Sequence, residues 1–137
     1  MNIDHTIKYC LCLPYPSLEN YARINYKVVY DYLSKTKDKD TALTLVNGCI
    51  FTCIALDGKL SNAETDFICN IISGYNKNKA FEVAKDFYNK EAQDIVKKLI
   101  NYFPNDVKEA YLKMCIAVLA VDKNVSSIEN AFLNTFI

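Results

Sequence analysis

The chain has 137 residues, the size of one domain, and 51% of them are hydrophobic, which is enough for a packed core. Its 16 basic and 16 acidic side chains cancel, which argues against a nucleic-acid partner because nucleic-acid-binding domains usually carry a basic face. No apolar run reaches the roughly 20 residues that span a bilayer. The start MNIDHTIKY lacks the pattern of a signal peptide, so we expect a cytoplasmic protein.

The sequence predicts an all-α fold. With three glycines and three prolines, a turn-rich β-sandwich or barrel is disfavoured. Apolar residues instead recur with the helical period of about 3.6. We predict one domain over residues 1–137, a compact bundle of about seven helices with an internal repeat of helix pairs. The predicted helices cover about residues 17–34, 40–56, 62–74, 77–88, 91–102, 106–121 and 126–137.

The N-terminal part is the least determined. Residues 1–13 fit a strand, coil or a short helix, and residues 1–35 form an extension without a recognisable motif. Ser17 is the predicted N-cap of the first helix, because serine favours that position. One side of this helix is predicted to carry Leu18, Tyr21, Ala22, Asn25, Val28, Val29 and Tyr32. The helix at 40–56 is apolar nearly all round, which predicts a central buried position.

Six cysteines are present, and without an export signal their even number does not support a disulfide framework. Four of them lie on apolar helical faces and are predicted core residues: Cys49, Cys53, Cys69 and Cys115. Cys10 and Cys12 are expected at the surface. A zinc site formed by Cys10, Cys12, Cys49 and Cys53 is disfavoured, because the spacing is unlike a zinc knuckle.

An acidic corner motif occurs twice. Residues 54–68 read IALDGKLSNAETDFI, and residues 119–133 read LAVDKNVSSIENAFL. The two stretches align without a gap and share identical acids and serines in three aligned pairs: Asp57 with Asp122, Ser61 with Ser126, and Glu64 with Glu129. Each copy therefore places an Asp and a Glu at the joint between two apolar helices.

The apolar residues of each helix form a stripe along its buried face, and the positions of these acids relative to the stripes predict that they point inward. Asp57 and Asp122 continue the apolar stripes of the helices that precede them, and Glu64 and Glu129 begin the stripes of the helices that follow. If a pseudo-twofold axis relates the copies, four carboxylates approach one another. The negative charges of these carboxylates would repel one another and raise the pKa of each, unless a cation lay between them.

Two interpretations of the corner stay open and are compatible. In the structural one, Ser-x-x-Glu at 61–64 and 126–129 is a capping box, and each Asp accepts backbone N–H groups of the next helix. In the functional one, Asp57, Glu64, Asp122 and Glu129 bind a divalent cation. A calcium EF-hand is rejected, because Cys53 and Ala55 would occupy its first two ligand positions.

Catalytic residues are not predicted. His5 is the single histidine, so a Cys–His pair is disfavoured, and the chain has no Gly-rich phosphate loop. Tyrosines crowd the first third of the chain, where they fit half-buried packing or a protein partner. They are Tyr9, Tyr15, Tyr21, Tyr26, Tyr30 and Tyr32.

The corner pattern A-x-D-G-x-(apolar)-S-x-x-E with a degenerate second copy resembles the TerB-like (tellurite-resistance TerB) family over about residues 40–137. The resemblance implies a compact helical fold with an internal repeat. It also implies a cytoplasmic role in tellurite or chemical-stress responses near a membrane-associated protein complex, without enzymatic activity. Metal binding by the family's acidic residues carries over to Asp57 and Glu64, and then to Asp122 and Glu129. The second copy departs from the pattern at Lys123, where the first has Gly58.

Three functional hypotheses follow. The first is a non-catalytic interaction module that binds a protein partner and, at the acidic corner, a divalent cation. The second is a metal-dependent enzyme or a metal sequesterer that uses the four acids. The third is a purely structural helical module that forms a homodimer.

Overall fold

The structure, a computed structural model, describes residues 1–54, 56, 60–72, 76–86 and 89–136. Within these ranges the regular structure is entirely helical, so the predicted all-α fold is confirmed. Eight helices are present there: α1 Ile3–Cys12, α2 Tyr15–Ser34, α3 Lys39–Ile54, α4 Asn62–Ile71, α5 Lys77–Asp86, α6 Lys90–Asn101, α7 Asn105–Ala120 and α8 Ser127–Asn134. The helix ends predicted near Gly74 and Tyr88, and Ile137 of the last helix, lie outside the described residues.

Helix α7 forms the centre of the bundle. Every side chain from Met114 to Ala120 is buried, and a run of that length points in all directions around a helix, so neighbours surround it. Its most extensive contact is with α2, and α1, α3 and α4 also pack on it. The predicted central helix, α3, is buried without interruption from Val46 to Ile54. The centre is therefore shared by two helices.

Helices α3 and α7 run in the same direction. The Tyr111 hydroxyl of α7 donates to the Cys49 carbonyl of α3 at 2.9 Å. One turn further along both helices, the Cys115 and Cys53 thiols are hydrogen-bonded to each other. Parallel packing places the C-terminal ends of the two helices side by side, which positions the acidic corners that follow them.

The start of α2 differs from the prediction. The helix begins at Tyr15 with Pro14 as its N-cap, so the predicted cap at Ser17 is wrong. Pro16 lies in the first turn, where a proline costs little because that N–H has no partner within the helix. The helix therefore begins before the serine.

The buried face of α2 also differs in part from the prediction. It consists of Leu18, Ala22, Asn25, Val29 and Leu33. Val28 is 37% exposed, because it lies about 100° around the helix from Val29. Of the six N-terminal tyrosines, Tyr9 and Tyr15 are exposed and the other four are half-buried against the core.

The six cysteines are all free thiols. Cys49, Cys53 and Cys115 are fully buried, whereas Cys69 is only half-buried. The expectation of an exposed Cys10 is wrong, because α1 packs against α7 and buries this side chain. Cys12, at the end of α1, is exposed.

Among the helices in the described ranges, none has both the length and the apolar character that a membrane span requires.

Candidate functional site at the acidic corners

The two acidic corners follow the ends of α3 and α7. Ser61 and Glu64 of the first corner lead into α4, and Ser126 and Glu129 of the second lead into α8. Asp122 lies in the turn after α7. Asp57, the fourth predicted ligand, lies outside the described residues.

Both corners contain the predicted capping box. The Ser61 hydroxyl accepts the Glu64 N–H at 3.0 Å, and Glu64 Oε1 accepts the Ser61 N–H at 3.0 Å. The equivalent distances at Ser126 and Glu129 are 3.2 and 2.9 Å. These bonds satisfy backbone donors that a helix start would otherwise leave without partners. The structural interpretation is therefore confirmed for the serines and glutamates.

A hydrogen bond joins the two corners. The Ser61 hydroxyl donates to Asp122 Oδ2 at 2.6 Å, across 61 residues of sequence. The same hydroxyl oxygen accepts the Glu64 N–H, so both of its roles are used and its orientation is set. The second corner thereby supports the helix cap of the first, a connection that the sequence prediction did not include.

Asp122 does not point inward as predicted, because it is exposed. Helix α7 ends at Ala120, so the helical period no longer applies two residues later. Lys123 has a φ of 60°, the left-handed conformation that often ends a helix, and its N–H donates to the Ala120 carbonyl at 3.0 Å. In the sequence alignment the residue paired with Lys123 is Gly58, the residue type that favours this conformation. That glycine is the sequence signal of a helix end at this position of the motif.

The two glutamates are buried. Glu64 is 6% and Glu129 is 5% exposed. Burial raises the pKa of Glu64 to about 7, and the negative charges of Asp122 and Glu129 raise it as well, while the hydrogen bond from the Ser61 N–H works in the opposite direction. Three of the four predicted ligands thus interact electrostatically across the two corners.

Thiols lie beneath this group. The pKa of Cys53 is raised well above its usual value by the hydrogen bond to Cys115 and by burial, with smaller effects of Glu129 and Glu64. A thiol held neutral in this way is a poor nucleophile and a poor metal ligand. The chemistry available at the corner is therefore that of carboxylates.

A complete metal site is not formed by the described side chains. Among them, no group of three or more His, Cys, Asp or Glu residues is arranged to hold a metal ion. The predicted ligand set also includes Asp57, which is outside the described residues, so the cation site stays a prediction.

An apolar groove between α3 and α6 was not found from the sequence. It has a volume of about 260 Å³ and is lined mainly by Leu45 and Gly48 of α3 and by Ala92, Ile95, Val96 and Leu99 of α6. Ile95 is 64% exposed at its edge. The available signal was the wide apolar stripe of α6, which includes Ile95 as well as the buried Val96 and Ile100, together with a glycine inside α3.

Comparison with family models, with curated proteins and with solved structures finds no match to this chain. The resemblance to the TerB-like family therefore rests on the repeated corner motif.

We predict that Ser61 and Asp122 stabilise the fold cooperatively. Ser61→Ala should lower the free energy of unfolding by about 1 kcal/mol through the lost cap. A double-mutant cycle with Asp122→Ala should give a coupling free energy of about 0.5–1 kcal/mol, measured by urea denaturation. The control cycle pairs Ser61→Ala with Asp106→Ala, an exposed acid of α7, and should show no coupling. A coupling of zero in both cycles would contradict the Ser61–Asp122 bond.

We predict that Glu64 makes stability depend on pH. Because its folded-state pKa is raised from 4.5 to about 7, its stabilising contribution is complete below pH 4.5 and is lost as the pH rises through 7. The loss amounts to about 3 kcal/mol. Glu64→Gln keeps an oxygen that can accept the Ser61 N–H but does not ionise, so it should remove this loss.

The measurement is the difference in unfolding free energy between wild type and variant at several pH values from 4 to 8. Taking the difference cancels the titration of groups that do not interact with Glu64. The difference should change across this range for Glu64→Gln and stay constant for the control Glu82→Gln, an exposed glutamate of α5. A constant difference for Glu64→Gln would mean that the burial of its charge is not costly.

Proposed function

We propose that this protein is a non-catalytic helical interaction module that binds a protein partner through the groove between α3 and α6. The observation that carries the proposal is an apolar groove with a highly exposed isoleucine, Ile95, at its edge. The resemblance of the corner motif to the TerB-like family supports a cytoplasmic role in tellurite-related stress, near a membrane-associated complex.

The groove has the properties of a helix-binding surface. Two neighbouring helices form its walls, and an amphipathic helix can lie between them with its apolar side chains inserted. Covering Ile95 would contribute about 1–2 kcal/mol, and the remaining apolar lining would add to it. Gly48 and Ala92 are small, so a partner backbone can approach closely.

Photo-crosslinking in cells that naturally express the chain tests this function. A photoreactive phenylalanine analogue at position 95 should form a crosslink to a protein, identified by mass spectrometry. The same analogue at position 128, where an isoleucine of α8 is 57% exposed, is the matched control and should not. A crosslink at neither position, or equal crosslinking at both, would overturn the proposed interaction surface.

A second candidate function is divalent cation binding at the acidic corners. It is supported by the charges of Asp122 and Glu129, which raise the pKa of Glu64 and so identify a place where negative charge accumulates and a cation would relieve repulsion. Carboxylate oxygens suit hard ions such as Ca²⁺ or Mn²⁺ better than they suit soft ions. Asp57 completes the proposed ligand set on the basis of the sequence repeat.

Calorimetry with Ca²⁺, Mn²⁺ and Zn²⁺ tests this candidate. Binding should strengthen by about tenfold from pH 6 to pH 8, because Glu64, with its pKa of about 7, must lose its proton before it can act as a ligand. Asp57→Ala and Glu64→Gln should each weaken binding, whereas Glu82→Gln should not. If no heat is observed at pH 8, or if the same heat is observed with both corner variants, the acids have a structural role alone.

A further inference from the structure

Helix α6 presents a row of exposed side chains next to the groove. Glu91, Ile95 and Lys98 are all exposed, and their spacing of four and three residues places them along one stripe of the helix. Ile95 lies in the middle of this row. A carboxylate lies about one turn before it and an ammonium group about one turn after it.

The row has a negative charge at one end and a positive charge at the other, so its charges are complementary to those of an identical row that runs in the opposite direction. We propose that the groove binds a second copy of this chain, with the two α6 helices antiparallel about a twofold axis that passes near Ile95. The proposal rests on the interaction function given above and names its partner. In a twofold-symmetric interface every contact occurs twice, so Glu91 of each copy faces Lys98 of the other. Ile95 of each copy then inserts into the other copy's groove.

The charges of the row are available for this pairing. Neither Glu91 nor Lys98 forms an ion pair with another of the described residues. Their separation along the helix is about 10 Å, two helical turns. Packed helix axes lie about 8–10 Å apart, a distance that two long side chains can bridge. A parallel arrangement in register would instead place Glu91 against Glu91 and Lys98 against Lys98.

The apolar and charged residues have different parts in the interface. Exposed ion pairs contribute little affinity, so the two Glu91–Lys98 pairs mainly select the antiparallel register. Burial of Ile95, Leu45 and Leu99 from both copies supplies most of the attraction. Gly48 leaves a gap in the wall of α3 that an isoleucine side chain can fill.

Analytical ultracentrifugation of the full chain measures the dimer. Wild type should show a reversible dimer, and Ile95→Lys should be monomeric at concentrations where wild type is dimeric. Ile128→Lys is the matched control and should dimerise like wild type. Circular dichroism of each variant verifies that it is folded, which is expected because both side chains are largely exposed. A wild-type chain that is monomeric at every soluble concentration would overturn the proposal.

Reversal of the charges tests the register. Glu91→Lys and Lys98→Glu should each weaken the dimer by about tenfold, because like charges then face each other twice. The double variant should restore dimerisation to within about threefold of wild type. An equimolar mixture of the two single variants should form a heterodimer, in which every facing pair has opposite charge. Singles without effect, or a double variant that is not restored, would overturn the antiparallel pairing.

The crosslinking experiment separates this inference from the function on which it rests. A crosslink from position 95 to the same chain supports both. A crosslink to a different protein, together with a monomeric chain in the ultracentrifuge, overturns self-association and leaves the interaction function in place. Failure to crosslink overturns both.

Discussion

The complete burial of α7 from Met114 to Ala120 is the constraint on which the rest of the structure depends. Since Met114 to Ala120 have neighbours on every side, α1, α2, α3 and α4 are each placed by their packing against this helix. Helix α3 lies parallel to it, tied by the Tyr111–Cys49 hydrogen bond. Parallel packing brings together two chain turns that are far apart in the sequence. The acidic corners therefore meet because of core packing and in spite of their mutual repulsion.

At the corners, the same carboxylates stabilise local structure and oppose one another. Both glutamates accept a serine N–H in a capping box. For Glu64 this hydrogen bond favours the charged form, while burial and the neighbouring acids favour the neutral form. For Glu64 the second effect is larger. A capping role thus explains why the acids are present without removing the electrostatic cost of placing them together. That remaining cost is the physical basis for considering a cation there.

Helix α3 connects the corner with the groove. Its C-terminal part places Cys53 beneath the glutamates, and its middle turns supply Leu45 and Gly48 to the groove wall. Both surfaces therefore belong to one rigid element that is buried along most of its length. The groove is chemically distinct from the corner, since it is apolar where the corner is acidic. An interaction at the groove would contact the middle of α3, and a change at Glu64 would act near its C-terminal end.

The sequence by itself determined the helical class, the approximate bounds of α2, α3, α6 and α7, the burial of α3 and both capping boxes. These follow from local periodicity and from the short reach of a serine cap. The outward position of Asp122 does not follow from helical periodicity, because α7 ends two residues earlier. The sequence signal of that helix end was Gly58, which aligns with Lys123 in the other copy of the motif. Only the tertiary structure decided that Cys10 is buried, that Ser61 bonds Asp122 and that α3 and α6 enclose a groove. Each of these depends on which elements are neighbours in space, and helical periodicity says which face of a helix is buried without saying what packs against it.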